Sequence, residues 1–476
     1  LVIANQIYVP KKQLSPWLRN RIQRLAAFAN PEFFQAQAMR LPTYKLPRIV
    51  SCSEEFPEHL ALPRGCLDDV NELLHSLGIA VTVQDQRQTG DALTLSFAGT
   101  LRPQQEAAAQ VLLAHDTGVL AAATAFGKTV LAAHLIAARG VSTLVLVHRH
   151  QLLDQWIRAL SQFLELDPKA IGRIGAGKRH VTGRVDVAMI QSLSRKGVVD
   201  DQVAHYGHVV VDECHHLSAV SFEQVLRQAR PRYTLGLSAT VVRKDGHHPI
   251  IWMQCGPIRF RATDRNQATQ RPFDHRVVFR TTTFQPAHAS PEGAGPDIQT
   301  LYGLLANDDA RNKQITADVV SVLSAGRCPI VLSERREHVD RLAALLAPQV
   351  KHLFVLAGGM GRRQSATLHA AIAAVPEDEP RLIVATGRYL GEGYDDARLD
   401  TLFLTLPISW RGTLAQYVGR LHRLNGSKRE VVVYDYADLH VPVLAKMCSR
   451  RRTGYKALGY GVETAPAELA FQIRAF

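Results

Sequence analysis

The chain is 476 residues long, which at about 150 residues per domain points to roughly three domains. Hydrophobic residues make up 46% and charged residues 21%, the balance of a folded globular protein rather than a disordered one. Its 56 Lys and Arg against 43 Asp and Glu leave a net charge of +13, and that excess is unevenly placed. Residues 1–50 hold eight basic side chains against a single acid, Glu32; the run from Lys446 to Lys456 holds five basic side chains and no acid. Clustered cations favour a polyanionic partner, because they release the counterions condensed on a phosphate backbone. No run of about 18 apolar residues exists, so no membrane span is expected. The six cysteines are scattered without a CxxC pair. That argues against a disulfide framework or zinc ribbon, and a reducing cytoplasm is the expected compartment. The opening LVIANQIYVPKK lacks the order of a secretory signal and an initiator Met, so a fragment or processed product is expected.

In chain order, residues 1–47 read as a basic appendage with one amphipathic helix near Pro16 to Phe28, followed by Pro31, Pro42 and Pro47. Residues 48–100 read as a small α+β domain: RIVSC and LTLSF look like strands, and CLDDVNELLHSLGI has helical spacing ending at Gly78. Residues 101–262 alternate strands and helices, with VSTLVLVH and HVVVDE as strands, and so predict a parallel sheet covered on both faces. Residues 263–300, rich in Thr, Gln, Pro and Gly, read as a connector. A second alternation fills 301–460 (CPIVLS, HLFVLA, RLIVAT, DTLFLTL, EVVVYDY), and 461–476 form a tail.

AATAFGKT (122–129) follows an apolar run and precedes a helical one, the context of a phosphate-binding loop. Backbone N–H groups around Thr124, Ala125, Phe126 and Gly127 would hold phosphate oxygens, Lys128 would neutralise them, and Thr129 would ligate Mg²⁺. Ala122 stands where the common pattern has its first glycine. Asp212 and Glu213 close the strand HVVV; the first suits Mg²⁺ and the second the activation of a water molecule. Phosphoryl transfer further needs cations, and Gln416, Arg420 and Arg423 fall on one helical face at the spacing that supplies them.

Together these residues resemble the superfamily 2 helicases and translocases, with that family's motifs in order over about residues 101–436. LRPQQ (101–105) looks like the adenine-reading Q motif, which makes Gln105 and Arg102 nucleotide-binding candidates. LVLVHRHQLLDQW, with His148 and Arg149, and MIQSL, with Gln191, are similar to the nucleic-acid-contacting motifs of the first lobe. LSAT, with Ser238 and Thr240, resembles the segment that couples hydrolysis to lobe movement, and His215 would link it to the ATP site. VLSERREHV resembles motif IV; Thr386 with GEGYD, including Gly393 and Asp395, resembles motif V; QYVGRLHR resembles motif VI. The resemblance implies two tandem RecA-like α/β lobes with ATP between them, plus a small N-terminal α+β domain. Within the family, LRPQQ and SATVVRKDG are similar to the branch of the xeroderma pigmentosum B and UvsW enzymes. NPEFFQAQAMR, ATAFGKTV and DECHH resemble bacterial primase–helicase fusions of conflict systems, which would place a primase-like segment upstream of Leu1.

The expected function is an ATP- and Mg²⁺-dependent motor on DNA. A DExH RNA helicase and a weakly hydrolysing nucleic-acid scaffold are the alternatives. Arg451 and Arg452, on a C-terminal helix with Tyr455, are expected to contact phosphates. The aromatic residues among the N-terminal cations could stack on bases, or pack against an upstream domain. Sequence alone gives no oligomeric state.

Overall fold

The computed structural model describes residues 1–123, 126–195, 197–215, 219–239, 246–262, 272–286, 297–358, 360, 362–391, 396–408, 411–423, 425–426 and 428–462. The chain forms two compact units, residues 1–122 with 126–262, and residues 263–476 with 123–125. No helix among the described residues is long and apolar enough to cross a membrane.

The first 85 residues build one small domain rather than an appendage followed by a domain. Its five-stranded sheet runs 54–55, 59–63, 6–10, 2–3 and 84–85, drawing strands from both sides of the expected boundary at residue 47. The helix Pro16–Leu25 is capped by the Ser15 side chain and buries Leu18 and Ile22; the helix Leu67–Ser76 buries Val70, Leu73 and Leu74. These apolar side chains share one core with Ile7, Val9, Leu60 and Leu62 of the sheet. Gly78, with φ 67°, ends the second helix in the left-handed region. Three of the eight N-terminal cations pair locally: Lys11 and Arg19 with Glu55, and Lys12 with Glu58.

This domain is locked onto the following lobe. Ile250 and Met253 of the helix Pro249–Cys255 sit in its core. A side chain on Gly65 would run into the Trp252 carbonyl. Arg64 is buried, and its guanidinium donates to the carbonyls of Asn5, Leu226 and Ala229, the last two closing the helix Ala219–Gln228. Burial lowers the pKa of this cation to about 10, while the carbonyl end of a helix is an electrostatically favourable seat for it. LTLSF, expected as a strand, forms none: Leu93, Leu95 and Phe97 lie as extended cover packed against the core of the next lobe.

That lobe has an eight-stranded sheet in the order 178–180, 172–175, 185–189, 143–147, 208–211, 233–238, 117–121 and 258–261. Every pairing is parallel except that of the edge strand Lys178–His180. The strand Thr143–Val147 shows why it is apolar throughout: Val145 and Val147 enter one core cluster, Leu144 and Leu146 the cluster on the opposite face.

The second unit has a seven-stranded, all-parallel sheet in the order 353–356, 382–386, 329–333, 401–404, 430–437, 274–281 and 461–462. Its strand Pro329–Ser333 divides in the same way, with Ile330 and Leu332 on one face and Val331 on the other. Two expected boundaries shift. The supposed connector contributes the strand Asp274–Thr281, and the supposed tail contributes Gly461–Val462 beside it. Alternation in DHRVVFRT was masked by its flanking polar residues.

Candidate ATPase site

Three neighbouring parallel strands of the first lobe end at the same edge of its sheet. Thr117–Ala121 leads into the phosphate-loop sequence, Tyr233–Ser238 ends on Ser238, and His208–Val211 delivers Asp212 and Glu213. The carboxyl edge of a parallel sheet is where α/β proteins place ligands.

The loop itself closes onto the helix Lys128–Arg139, whose N-cap is Gly127 at φ 84°. A side chain there would meet the Gln105 amide nitrogen at 2.5 Å, so conformation and crowding both demand glycine. Ala122 has no such demand. It is absent from the residues with positive φ, its N–H donates to the Ser238 carbonyl at 2.9 Å, and its carbonyl accepts from Lys128 Nζ at 3.0 Å. That is why alanine serves where the common pattern has glycine. Thr124 and Ala125 lie outside the described residues.

Lys128 is buried and also lies 3.7 Å from Glu213 Oε1. Asp212 accepts from the Trp156 indole N–H at 2.7 Å through Oδ2 and from the Glu213 backbone N–H at 3.0 Å through Oδ1. Burial, then the adjacent Glu213 charge, push its pKa up to about 6, partly offset by Trp156 and Lys128. Glu213 takes the left-handed φ of 46°, a strained setting for a non-glycine residue and one common at functional sites. His215 Nδ1 lies 3.3 Å from Glu213 Oε2 and 2.8 Å from Ser238 Oγ. His215 thus stands between the Glu213 carboxylate and Ser238; Thr240 lies outside the described residues.

Gln105 and Arg102 do touch the phosphate loop, but by holding it. The Gln105 Nε2 donates to the Phe126 carbonyl at 2.8 Å while its Oε1 accepts from the Arg102 N–H at 2.8 Å; the Arg102 guanidinium donates to the same Phe126 carbonyl. His148 and Gln191 also meet, the Gln191 Nε2 donating to the His148 carbonyl at 3.3 Å, with Arg149 the next residue along.

In the second unit Thr386 ends the strand Leu382–Thr386 beside Ser333. Gly393 and Asp395 lie outside the described residues. Gln416 sits on the helix Arg411–Gly419, which tightens into a final turn at Arg420–His422, followed by Arg423; the three polar residues are half-buried. The Tyr417 hydroxyl donates to Glu334 at 2.7 Å, and a side chain on Gly387 would strike both groups. VLSERREHV and QYVGRLHR are joined there, beside the residue that follows Thr386.

One expected contact is overturned. Arg451 is not on the surface: it is 3% exposed and binds both carboxylate oxygens of Asp435 at 2.7 Å, with the Tyr455 hydroxyl on the same carboxylate at 3.0 Å. Its helix, Pro442–Ala457, packs beneath motif VI, Gly454 lying close to Leu414. Arg452 is half-buried, and Lys446, Arg450 and Lys456 keep the exposed charge. Of the five cations in this run, Arg451 is the one that serves as a buttress. Trp156 and Tyr417 are not singled out by the sequence, because an indole or phenol on a helix looks like ordinary core, and Glu334 is not, because its partner Tyr417 lies on a distant element.

Two parallel-sheet lobes carrying this constellation define a nucleic-acid-dependent ATPase of the helicase class, and comparison with known proteins agrees. The family described as "Type III restriction enzyme, res subunit" matches residues 98–243. The putative ATP-dependent RNA helicase L396 of Acanthamoeba polyphaga mimivirus is 23% identical over 377 residues, 78% of this chain and 70% of that protein. The DNA 3'-5' translocase XPB2 of Sulfurisphaera tokodaii is 29% identical over 161 residues, 34% of this chain and 35% of that protein. Among solved structures, S. cerevisiae Dbp5 bound to RNA and ADP BeF3 shares the fold with a TM-score of 0.55 at 13% identity, covering 78% of this chain and 92% of that one. Over most of its length the chain is similar to helicases, and over a third of it to an enzyme of the xeroderma pigmentosum B branch.

Proposed function

We propose that this helicase acts on DNA, using ATP turnover to move along or remodel duplex or forked strands. What supports the reading most is the connected path Lys128–Glu213–His215–Ser238 at the end of three adjoining strands, a phosphate cation tied through a carboxylate to the coupling segment. Lys128 and the loop amides bind the phosphates, and Glu213 orients and deprotonates the attacking water. Asp212 at the strand end and Thr129 in the first turn of the phosphate-loop helix both offer hard oxygens and would hold Mg²⁺, supplying charge neutralisation for the phosphates. His215 passes the state of Glu213 to Ser238. Arg420 and Arg423 of the second unit, with Gln416 on the preceding helix, are the candidates for the remaining cations.

The choice of DNA leans on the translocase relative XPB2; RNA is the second reading because the relative L396 is named an RNA helicase. Six free cysteines, all buried, accord with a reducing cytoplasm. A primase-like segment working beside this ATPase stays part of the proposal. ATP turnover measured with forked DNA, duplex DNA and RNA in parallel tests the polymer. Stimulation by DNA supports the proposal, and stimulation by RNA alone replaces it with the second reading.

A further inference from the structure

The turn after motif VI contains a buried lysine that the helicase motifs do not use. Lys428 is 7% exposed, and its Nζ donates to the main-chain carbonyls of Leu421 at 2.8 Å and Arg423 at 2.9 Å. The ammonium also lies over the Phe273 ring, 5.6 Å from its centre, and Phe273 belongs to the core of the same lobe. The Lys428 N–H donates to the Asn425 carbonyl at 3.1 Å, which fastens its backbone as well.

The placement has a physical logic. The last carbonyls of a helix have no partner within it, and a cation there satisfies them and meets the negative end of the dipole. Here those carbonyls belong to the segment that carries the two arginines. Leu421 lies between them, and Arg423 is one of them. A second fastening acts on the same turn: the ring of His422 meets the Tyr460 hydroxyl at 2.8 Å. An arginine side chain reaches its target only if its own backbone is fixed, and a misplacement of about 1 Å can cost on the order of a hundredfold in rate.

We propose that Lys428 is a positioning residue for ATP turnover: seated on the Leu421 and Arg423 carbonyls, it fixes the turn from which Arg420 and Arg423 project. The inference rests on the proposed role of those arginines. It assigns to Lys428 no contact with nucleotide or nucleic acid, which separates it from the many surface cations of the chain.

The test uses the full chain with ATP and a forked DNA duplex. Lys428→Met should lower kcat about ten- to a hundredfold while KM for ATP and affinity for the fork change less than about twofold. Lys428→Arg, which returns a cation to the carbonyls, should recover most of the loss. An unchanged kcat in Lys428→Met, or an equal loss of kcat and ATP affinity with no rescue by arginine, would overturn the proposal. Should Lys428→Met fail to fold, Lys428→Gln decides instead. Lowered kcat at unchanged KM supports the role, and wild-type kcat refutes it. Arg420→Ala and Arg423→Ala run alongside. Full turnover in both removes the arginine reading itself, whereas loss there with full turnover in Lys428→Met removes only the role of Lys428.

Discussion

Arg451 and Asp435 form a closed ion pair inside the second lobe, guanidinium to carboxylate at 2.7 Å on both sides, with 3% and 0% of the side chains exposed. Such a pair is needed once it is built, because removing one partner leaves the other charged, buried and alone. Arg451→Ala should therefore destabilise the lobe by about 3–5 kcal/mol in a denaturant melt. The salt dependence of nucleic-acid binding should stay as in the wild type wherever the variant is folded. A variant with wild-type stability and a flattened salt slope would restore the phosphate-contact role that the burial of Arg451 argues against.

Gln105 makes a second case where geometry redirects a sequence expectation. Its amide nitrogen is engaged by the Phe126 carbonyl and its oxygen by the Arg102 N–H, so both ends hold the phosphate loop. Gln105→Ala should lower kcat/KM for ATP and GTP by the same factor, about tenfold if one buried hydrogen bond of about 1.4 kcal/mol is lost. A loss confined to ATP would show that Gln105 reads the base.

A feature of this fold is legible in the sequence where a residue type betrays its surroundings. The β-branched runs and the GKT, DE and QYVGRLHR segments were legible because sheet burial and phosphate chemistry each demand particular residues at particular spacings. Ala122 was legible only in the fold, where its backbone shows no positive φ. The boundary at residue 47 was misplaced because strand pairing between residues 6–10 and 59–63 is a long-range fact with no local signature. Arg451 was misread for a related reason. A helix with three consecutive arginines looks solvated from outside, and only the Asp435 opposite, on another element, turns one of them inward.

His338 gives a prediction in pH. It is buried, with Nδ1 at 3.0 Å from Ser333 Oγ and Nε2 at 2.9 Å from Asn312 Oδ1, and burial together with Arg311 and Arg341 lowers its pKa to about 3. The folded state thus keeps the ring neutral where the unfolded chain, titrating near 6.5, takes up a proton. Above that pH neither state is charged and nothing is lost; below it the unfolded state binds more protons, and stability falls until about pH 3. Between pH 7 and 5 the wild type should lose about 2 kcal/mol more than His338→Gln, whose amide can keep both hydrogen bonds without titrating. Parallel losses in the two proteins would mean that His338 is not a source of the acid sensitivity.

Glu213 is the residue on which ATP hydrolysis should depend most. Held at a left-handed φ between Lys128 and His215, it is assigned the activation of water, so Glu213→Gln keeps the shape and removes the base. The decisive measurement is ATP turnover by this variant with forked DNA present, alongside its affinity for ATP. Turnover should fall about 100- to 10,000-fold with ATP affinity retained. Wild-type turnover in Glu213→Gln would contradict the assignment at its centre.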